Sequence, residues 1–169
     1  MAEKMISEIL AANCKLKTNN EKVQHLQKND CRPLRNILKG LFDEAVVFNL
    51  PAGIPPYRKD DAPKGYEISN LHRVSKRFKY FDKGGIGEQM LAARREKMFI
   101  DVLESLHPDE AELVIAMKEK SLMGKYKGIT SKLVSEAFPN LLVKPIVATR
   151  AKSTKVKKKA VDKGTETQD

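Results

Sequence analysis

Apolar residues recur at spacings of three and four along most of the first 140 positions, which is the pattern of helices with one buried face. This spacing predicts a first short helix within Glu3–Cys14. Its apolar face would carry Met5, Ile6, Ile9 and Leu10.

Two further helices are predicted before residue 45. Glu21–Lys28 has a weaker pattern and favours at most a short helix, which the asparagine pair 19–20 would cap. Arg32–Glu44 is clearer, with Asp30 as a suitable N-cap and Pro33 in its first turn. The apolar face of this helix consists of Leu34, Ile37, Leu38, Leu41 and Phe42.

The second half of the chain contains the longest predicted helix, Glu88–Leu106, with apolar residues at helical spacing. A last helix is predicted to follow Thr130, a good N-cap residue, and to reach Phe138 before Pro139 stops it.

A further helix is predicted to begin at Pro108, because proline suits the first helical turn. The acidic residues behind it, Asp109, Glu110 and Glu112, complement the positive end of that helix's dipole.

The stretch 47–65 interrupts the helical pattern with four prolines and two glycines. No helix can run through such a stretch. Its apolar and aromatic members, Phe48, Leu50, Ile54 and Tyr57, indicate an ordered loop that packs on the fold rather than a flexible linker.

These elements predict an all-α fold, a small single-domain helical bundle with one proline-rich ordered loop. The helical domain is expected to span residues 1–146. From 147 to 169 the composition changes to Lys, Ala, Thr and Ser without apolar periodicity, which is typical of a disordered basic tail.

Charge adds a functional hint to this fold. The net charge is +10, and the positive excess lies mainly in residues 51–100, which carry 11 basic and 6 acidic side chains, and in the tail. A basic surface favours polyanionic partners such as nucleic acid. Cys14 and Cys31 fit no metal-ligand spacing and are expected to be free thiols in a reducing cytoplasm.

The segment Asn70–Phe81, called the basic segment below, separates apolar from charged positions most clearly. As an α-helix it would bury Leu71, Val74, Phe78 and Phe81 along one stripe.

The opposite face of the basic segment is predicted to contact nucleic acid. Lysine and arginine neutralise phosphates and release counterions, and tyrosine can stack on an unpaired base. The residues assigned to this role are Arg73, Lys76, Arg77, Lys79, Tyr80 and Lys83, together with Lys157, Lys158 and Lys159 of the tail. Arg58, Lys59 and Lys64 are expected to approach this face from the loop. The alternative is a solvated face whose charges only maintain solubility.

No arrangement of residues predicts catalysis, a metal site or a cofactor. His25, His72 and His107 stand in no ligand spacing, and Asp60 and Asp61 lack further oxygen ligands nearby. The glycines after the basic segment lack the order of a phosphate-binding loop and indicate a turn between helices. No apolar stretch reaches the ~18 residues of a membrane span. We therefore expect a protein that is not an enzyme and has no membrane partner.

Four short segments form a recognisable set: Phe48–Tyr57, Ala62–Gly65, Glu104–Ala111 and Ile129–Val134. Together they resemble an uncharacterised family of small proteins from T-even-like tailed phages, mainly marine ones. The family brings no known activity or site residues. The resemblance implies a setting, which is the cytoplasm of an infected bacterial cell or a place in the virion.

Two functions follow from these patterns. The first is a non-catalytic phage accessory protein that binds the phosphate backbone of DNA or RNA through the basic segment and the tail. The second is a protein–protein adaptor or virion-associated structural component, which docks on another phage or host protein through the proline-rich loop or an exposed face of Glu88–Leu106.

Overall fold

A computed structural model describes residues 3–121 and 124–143, so the predicted tail and its boundary at residue 147 lie outside the described residues. The described residues are helical throughout their regular elements, which confirms the all-α prediction. The α-helices are α1 (Ile6–Lys15), α2 (Asn19–Lys28), α3 (Arg32–Phe42), α4 (Leu71–Val74), α5 (Ala92–Ser105), α6 (Pro108–Glu119) and α7 (Ser131–Ala137). Two 3-10 helices span Ser75–Tyr80 and Gly124–Tyr126.

The centre of the core is the packing of α3 against α6. Leu34, Ile37 and Leu38 are fully buried on the predicted face of α3. The two helices approach closely at Gly40, where a Cβ atom would lie 2.5 Å from Cγ of Met117. Glycine within a helix costs about 1 kcal/mol relative to alanine, and here the buried contact of Met117 offsets that cost.

The carboxylate of Glu110 is the second centre of the fold, a role beyond the predicted one of complementing the dipole of α6. Its side chain is completely buried. Oε1 accepts a hydrogen bond from the backbone N–H of Ile6 at 3.0 Å, and Oε2 accepts one from Leu71 at 3.1 Å. These N–H groups open α1 and α4 and have no partner within their own helices. One side chain therefore caps two helices.

The predicted beginnings of α6 and α7 are confirmed. Pro108 is the first residue of α6, and Nδ1 of His107 accepts a hydrogen bond from the N–H of Asp109 at 3.2 Å. Thr130 caps α7 by accepting a hydrogen bond from the N–H of Leu133 at 3.3 Å. Local cap chemistry decides both boundaries.

The caps of α2 and α3 differ from those predicted. Thr18, rather than the asparagine pair, caps α2, and it forms a reciprocal capping box with Glu21 that makes this helix stronger than its apolar pattern indicates. Cys31 occupies the N-cap position of α3 without a side-chain hydrogen bond. Asp30 instead accepts a hydrogen bond at 2.6 Å from Nε of Arg35, one turn into the helix.

The proline-rich loop 47–65 is ordered, as predicted, and is tied to the end of α6. Nζ of Lys118 donates hydrogen bonds to the carbonyl oxygens of Pro51 at 2.8 Å and Gly53 at 2.9 Å. The N–H of Gly53 donates to Oε1 of Glu119 at 2.8 Å. These contacts hold the loop against the helical core.

Removing the Glu110 carboxylate should destabilise the protein strongly. Glu110→Ala leaves two helix-terminal N–H groups buried without acceptors, and each costs about 1–3 kcal/mol. We expect the free energy of unfolding, measured by urea denaturation, to fall by about 2–5 kcal/mol. The control is Glu112→Ala, which removes a carboxylate of the same helix that is partly exposed and paired with Lys59. Equal losses in the two variants would contradict the capping role.

The same carboxyl should make stability depend on pH. Burial raises the pKa of Glu110 above its ordinary value of 4.5, against the lowering effect of the two N–H donors. The folded state therefore binds this proton more tightly than the unfolded chain, so protonation favours folding. The stability advantage of the unmodified protein over Glu110→Gln should grow as pH falls from 7 through the raised pKa and level off below 4.5. An advantage that shrinks on acidification would contradict the raised pKa.

Candidate nucleic-acid interface

The basic segment begins as predicted but does not continue as one α-helix. Asn70 is its N-cap, with Oδ1 accepting a hydrogen bond from the N–H of Arg73 at 3.1 Å. A single α-helical turn, α4, follows, and the chain then tightens into the 3-10 helix Ser75–Tyr80. This is a correction to the predicted continuous helix.

Tertiary contacts hold the far end of the basic segment. The carbonyl oxygen of Phe81 accepts a hydrogen bond from the N–H of Asn49 at 2.7 Å, and the Phe81 ring packs edge-to-face on Phe99 with ring centroids 5.3 Å apart. Glu110 holds the near end. A 3-10 helix rises about 2.0 Å per residue against about 1.5 Å for an α-helix, so the tighter coil lets the segment reach both anchors.

The 3-10 geometry redistributes the side chains of the basic segment. Three residues per turn bring positions i and i+3 into line. Ser75 and Phe78 therefore point inward, and the outward residues fall into two rows rather than one face. The first row consists of Lys76 and Lys79, and the second consists of Arg77 and Tyr80.

The first row lines a cleft of about 230 Å³, which we call the serine cleft because the buried Ser75 forms part of its wall. Its four cations are Arg32, Lys39, Lys76 and Lys79. Arg32 and Lys39 lie seven residues apart in α3, which places them on one stripe of that helix. Asp82 is the carboxylate in the wall, and burial raises its pKa while Lys39 lowers it.

The second row lines a wider cleft of about 520 Å³, which we call the tyrosine cleft. Its three cations are Arg77, Arg94 and Lys97. Tyr80 is half-buried against the core, and the ammonium group of Lys79 lies 5.4 Å from the centroid of its ring. Met90 and Met98 add apolar surface beside the ring, and Asp101 adds one carboxylate.

Gly87 and Arg95 support the tyrosine cleft from behind. A Cβ atom at Gly87 would lie 1.9 Å from the carbonyl oxygen of Tyr80, so only glycine permits this approach. Arg95 is 6% exposed. Its guanidinium donates to the carbonyl oxygens of Asn49 at 2.7 Å and of Gly87 and Met90 at 3.1 Å each. The turn that precedes α5 is thereby bound to the loop, and α5 begins at Ala92 rather than at the predicted Glu88.

The seven cations that line the two clefts form no ion pair within the described residues. The three cations of the loop, Arg58, Lys59 and Lys64, contact other parts of the protein. The expectation that they approach the basic segment is therefore wrong. Nζ of Lys59 pairs with Glu112 at 3.3 Å, and Nζ of Lys64 pairs with Glu8 at 3.4 Å. Arg58 lines a separate depression beside α5.

The predicted site residues are thus divided among several places. Lys76 and Lys79 lie in the serine cleft, and Arg77 and Tyr80 lie in the tyrosine cleft. Arg73 and Lys83 are exposed but line neither cleft. Lys157, Lys158 and Lys159 lie outside the described residues.

Sequence reasoning missed the cations that other helices contribute to the clefts. They are Arg32 and Lys39 of α3 and Arg94 and Lys97 of α5. Their spacings of seven and three residues mark each pair as sharing a helix face. The sequence contains no signal that these faces meet at the basic segment.

Metal-binding, membrane and thiol chemistry can be assessed for residues 3–121 and 124–143. No group of three or more His, Cys, Asp and Glu side chains is placed there to hold a metal ion. None of the described helices combines the length and apolar character needed to cross a membrane. Cys14 and Cys31 are free, as predicted, and burial raises the pKa of the Cys31 thiol.

A family described as a family of unknown function, DUF6433, matches residues 9–124, which include every residue that lines either cleft. No curated protein and no solved structure matches the chain.

The support of the tyrosine cleft can be tested with two adjacent arginines. Arg95→Met leaves three backbone carbonyl groups without their donor, and we expect the free energy of unfolding to fall by about 2–4 kcal/mol. Arg94→Met removes an exposed cation of the same helix and should leave stability unchanged. Thermal and urea denaturation would measure the stability of both variants. Similar stability of the two would contradict the role of Arg95.

Proposed function

This chain belongs to DUF6433, a family of unknown function, and from its geometry we propose that it is a non-catalytic protein that binds nucleic acid along the 3-10 helix. One observation carries the proposal. Seven cations from α3, the 3-10 helix and α5 line two adjoining clefts, and none forms an ion pair within the described part of the chain.

The charge balance of the clefts favours an anionic chain as ligand. Two carboxylates, Asp82 and Asp101, stand against the seven cations. Like charges held this close repel one another, and phosphates that enter the clefts replace that repulsion with attraction. Binding also releases counterions from the nucleic acid, which supplies most of the affinity in sequence-independent recognition.

The tyrosine cleft favours a single strand over a duplex. The ring of Tyr80 shares the cleft with cations and with the methionines Met90 and Met98, a setting that suits an unpaired base. Stacking of a base on an aromatic ring contributes about 1–3 kcal/mol and tolerates any sequence. Lysines and arginines directed at phosphates add affinity without base readout.

The setting of this activity is part of the proposal. The resemblance to small proteins of T-even-like phages supports an accessory role in the cytoplasm of an infected bacterial cell, or in the virion. The lysines of the tail, Lys157, Lys158 and Lys159, would add non-specific contacts to the same phosphate backbone.

Charge reversal in the two rows should strongly weaken binding to a single-stranded oligonucleotide. We expect Lys76→Glu, Arg77→Glu and Lys79→Glu together to weaken binding at least tenfold in fluorescence anisotropy. The matched control reverses three exposed lysines outside the clefts, Lys15, Lys17 and Lys132, and should bind nearly as well as the unmodified protein. Equal weakening in both triple variants would show that only total charge matters.

The salt dependence of binding should report the phosphates engaged. Each phosphate contributes about −0.7 to the slope of log affinity against log salt concentration for a single strand. The slope should be steep for the unmodified protein and shallower for the triple variant. Tyr80→Leu should weaken single-strand binding and leave the slope unchanged, because it removes stacking but no charge. A flat slope would rule out phosphate binding.

A second candidate function, an adaptor between proteins, is favoured by one observation on the loop side of the molecule. Ile54 is 67% exposed, and beyond the loop Tyr66 and Ile68 are 80% and 79% exposed. Exposed apolar side chains of this kind are common where proteins dock. A partner that is retained after nuclease treatment, and lost on substitution of Ile54, Tyr66 and Ile68 by serine, would favour this function.

A further inference from the structure

The hydroxyl of Ser75 is an unpartnered group in the wall of the serine cleft. Its residue is 3% exposed, and Oγ forms no hydrogen bond with any protein group. Oγ itself exposes less than 1 Å² to solvent. Buried hydroxyls are nearly always paired, and a movement of the side chains over Ser75 would open this one to a ligand atom in the cleft. A hydroxyl can donate to a phosphate oxygen.

The charge around Ser75 indicates a ligand with more than one negative charge. Arg32 and Lys39 approach from α3, and Lys76 and Lys79 approach from the 3-10 helix. Asp82 offsets one of these four cations. A phosphodiester within a strand carries one negative charge, whereas a phosphate monoester carries about 1.5 to 2 at neutral pH.

The shape of the serine cleft indicates that the ligand is the end of a chain. The loop, α3, α6 and the 3-10 helix all contribute to its walls. Phe48 and Met117 close it on one side, where Gly40 lets both pack against α3. At about 230 Å³ the cleft lies below the ~300–1,000 Å³ of pockets that hold drug-sized ligands. It suits a phosphate group rather than a strand passing through.

From these features we propose that the serine cleft binds a phosphate monoester, supplied by the terminal phosphate of a nucleic-acid strand whose adjoining nucleotides lie on the tyrosine cleft. The placement of the adjoining nucleotides on the tyrosine cleft rests on the proposed function above. The side chains over Ser75 move aside, its Oγ donates a hydrogen bond to one phosphate oxygen, and the four cations neutralise the dianion. The protein thereby distinguishes a phosphorylated strand end from the interior of a strand.

The test compares one single-stranded oligonucleotide in three forms, with a 5′-phosphate, with a 3′-phosphate and with neither. Fluorescence anisotropy in phosphate-free buffer should show at least tenfold tighter binding of one phosphorylated form than of the unphosphorylated form. Ser75→Ala should remove most of this preference without lowering the melting temperature, because the hydroxyl has no protein partner to lose. Asp82→Asn should increase the preference.

Two controls separate the serine cleft from the tyrosine cleft. Arg77→Gln with Arg94→Gln should weaken all three oligonucleotides equally and leave their ratio unchanged. Isothermal titration with adenosine monophosphate and with inorganic phosphate measures binding to the serine cleft in the absence of a strand. Ser75→Ala should reduce the heat of monophosphate binding.

Equal binding of the three oligonucleotides by the unmodified protein would overturn this inference while leaving the proposed function in place. A preference for phosphorylated ends that survives Ser75→Ala would also overturn it. Monophosphate binding that requires Ser75, without binding of any oligonucleotide, would support the monoester site and overturn the proposed function.

Discussion

The burial of one carboxylate, that of Glu110, is the constraint on which the rest of the structure depends. A buried carboxylate is unfavourable unless hydrogen bonds compensate for lost water. The N–H groups of Ile6 and Leu71 provide those bonds, and each in turn needs an acceptor because it opens a helix. The arrangement attaches α1 and α4 to α6, which itself packs on α3. Since Leu71 begins the helical part of the basic segment, the position of the candidate site is set by this contact.

The geometry of the site follows from the two ends of the basic segment. Glu110 holds its beginning, and pairing with the loop holds its end at Phe81. The chain between these anchors adopts a 3-10 helix, which directs Ser75 and Phe78 inward and divides the charged residues into two rows. α3 then supplies further cations beside the first row, and α5 supplies them beside the second. The sequence predicts a single charged face, whereas the structure contains two clefts of different shape. One cleft is narrow, and the other contains an aromatic ring.

Sequence reasoning predicted what local chemistry decides. The apolar face of α3, the proline at the start of α6 and the cap of α7 depend on neighbouring residues, and all are confirmed. The role of Glu110 escaped prediction because its partners lie 104 and 39 residues away in the chain. The 3-10 helix escaped prediction because the buried positions of the basic segment, Ser75 included, fit an α-helix equally well. The cations of α3 and α5 join the site through tertiary packing, which periodicity cannot reveal.

We propose that a nucleic-acid strand binds along the 3-10 helix Ser75–Tyr80. The most direct measurement is an NMR titration of the ¹⁵N-labelled protein with a short single strand. We expect chemical-shift changes concentrated in Ser75–Tyr80 and in the neighbouring parts of α3 and α5, and little change in the proline-rich loop 47–65. Chemical-shift changes confined to that loop would contradict binding along the 3-10 helix. So would the absence of any change at strand concentrations well above those used for binding assays.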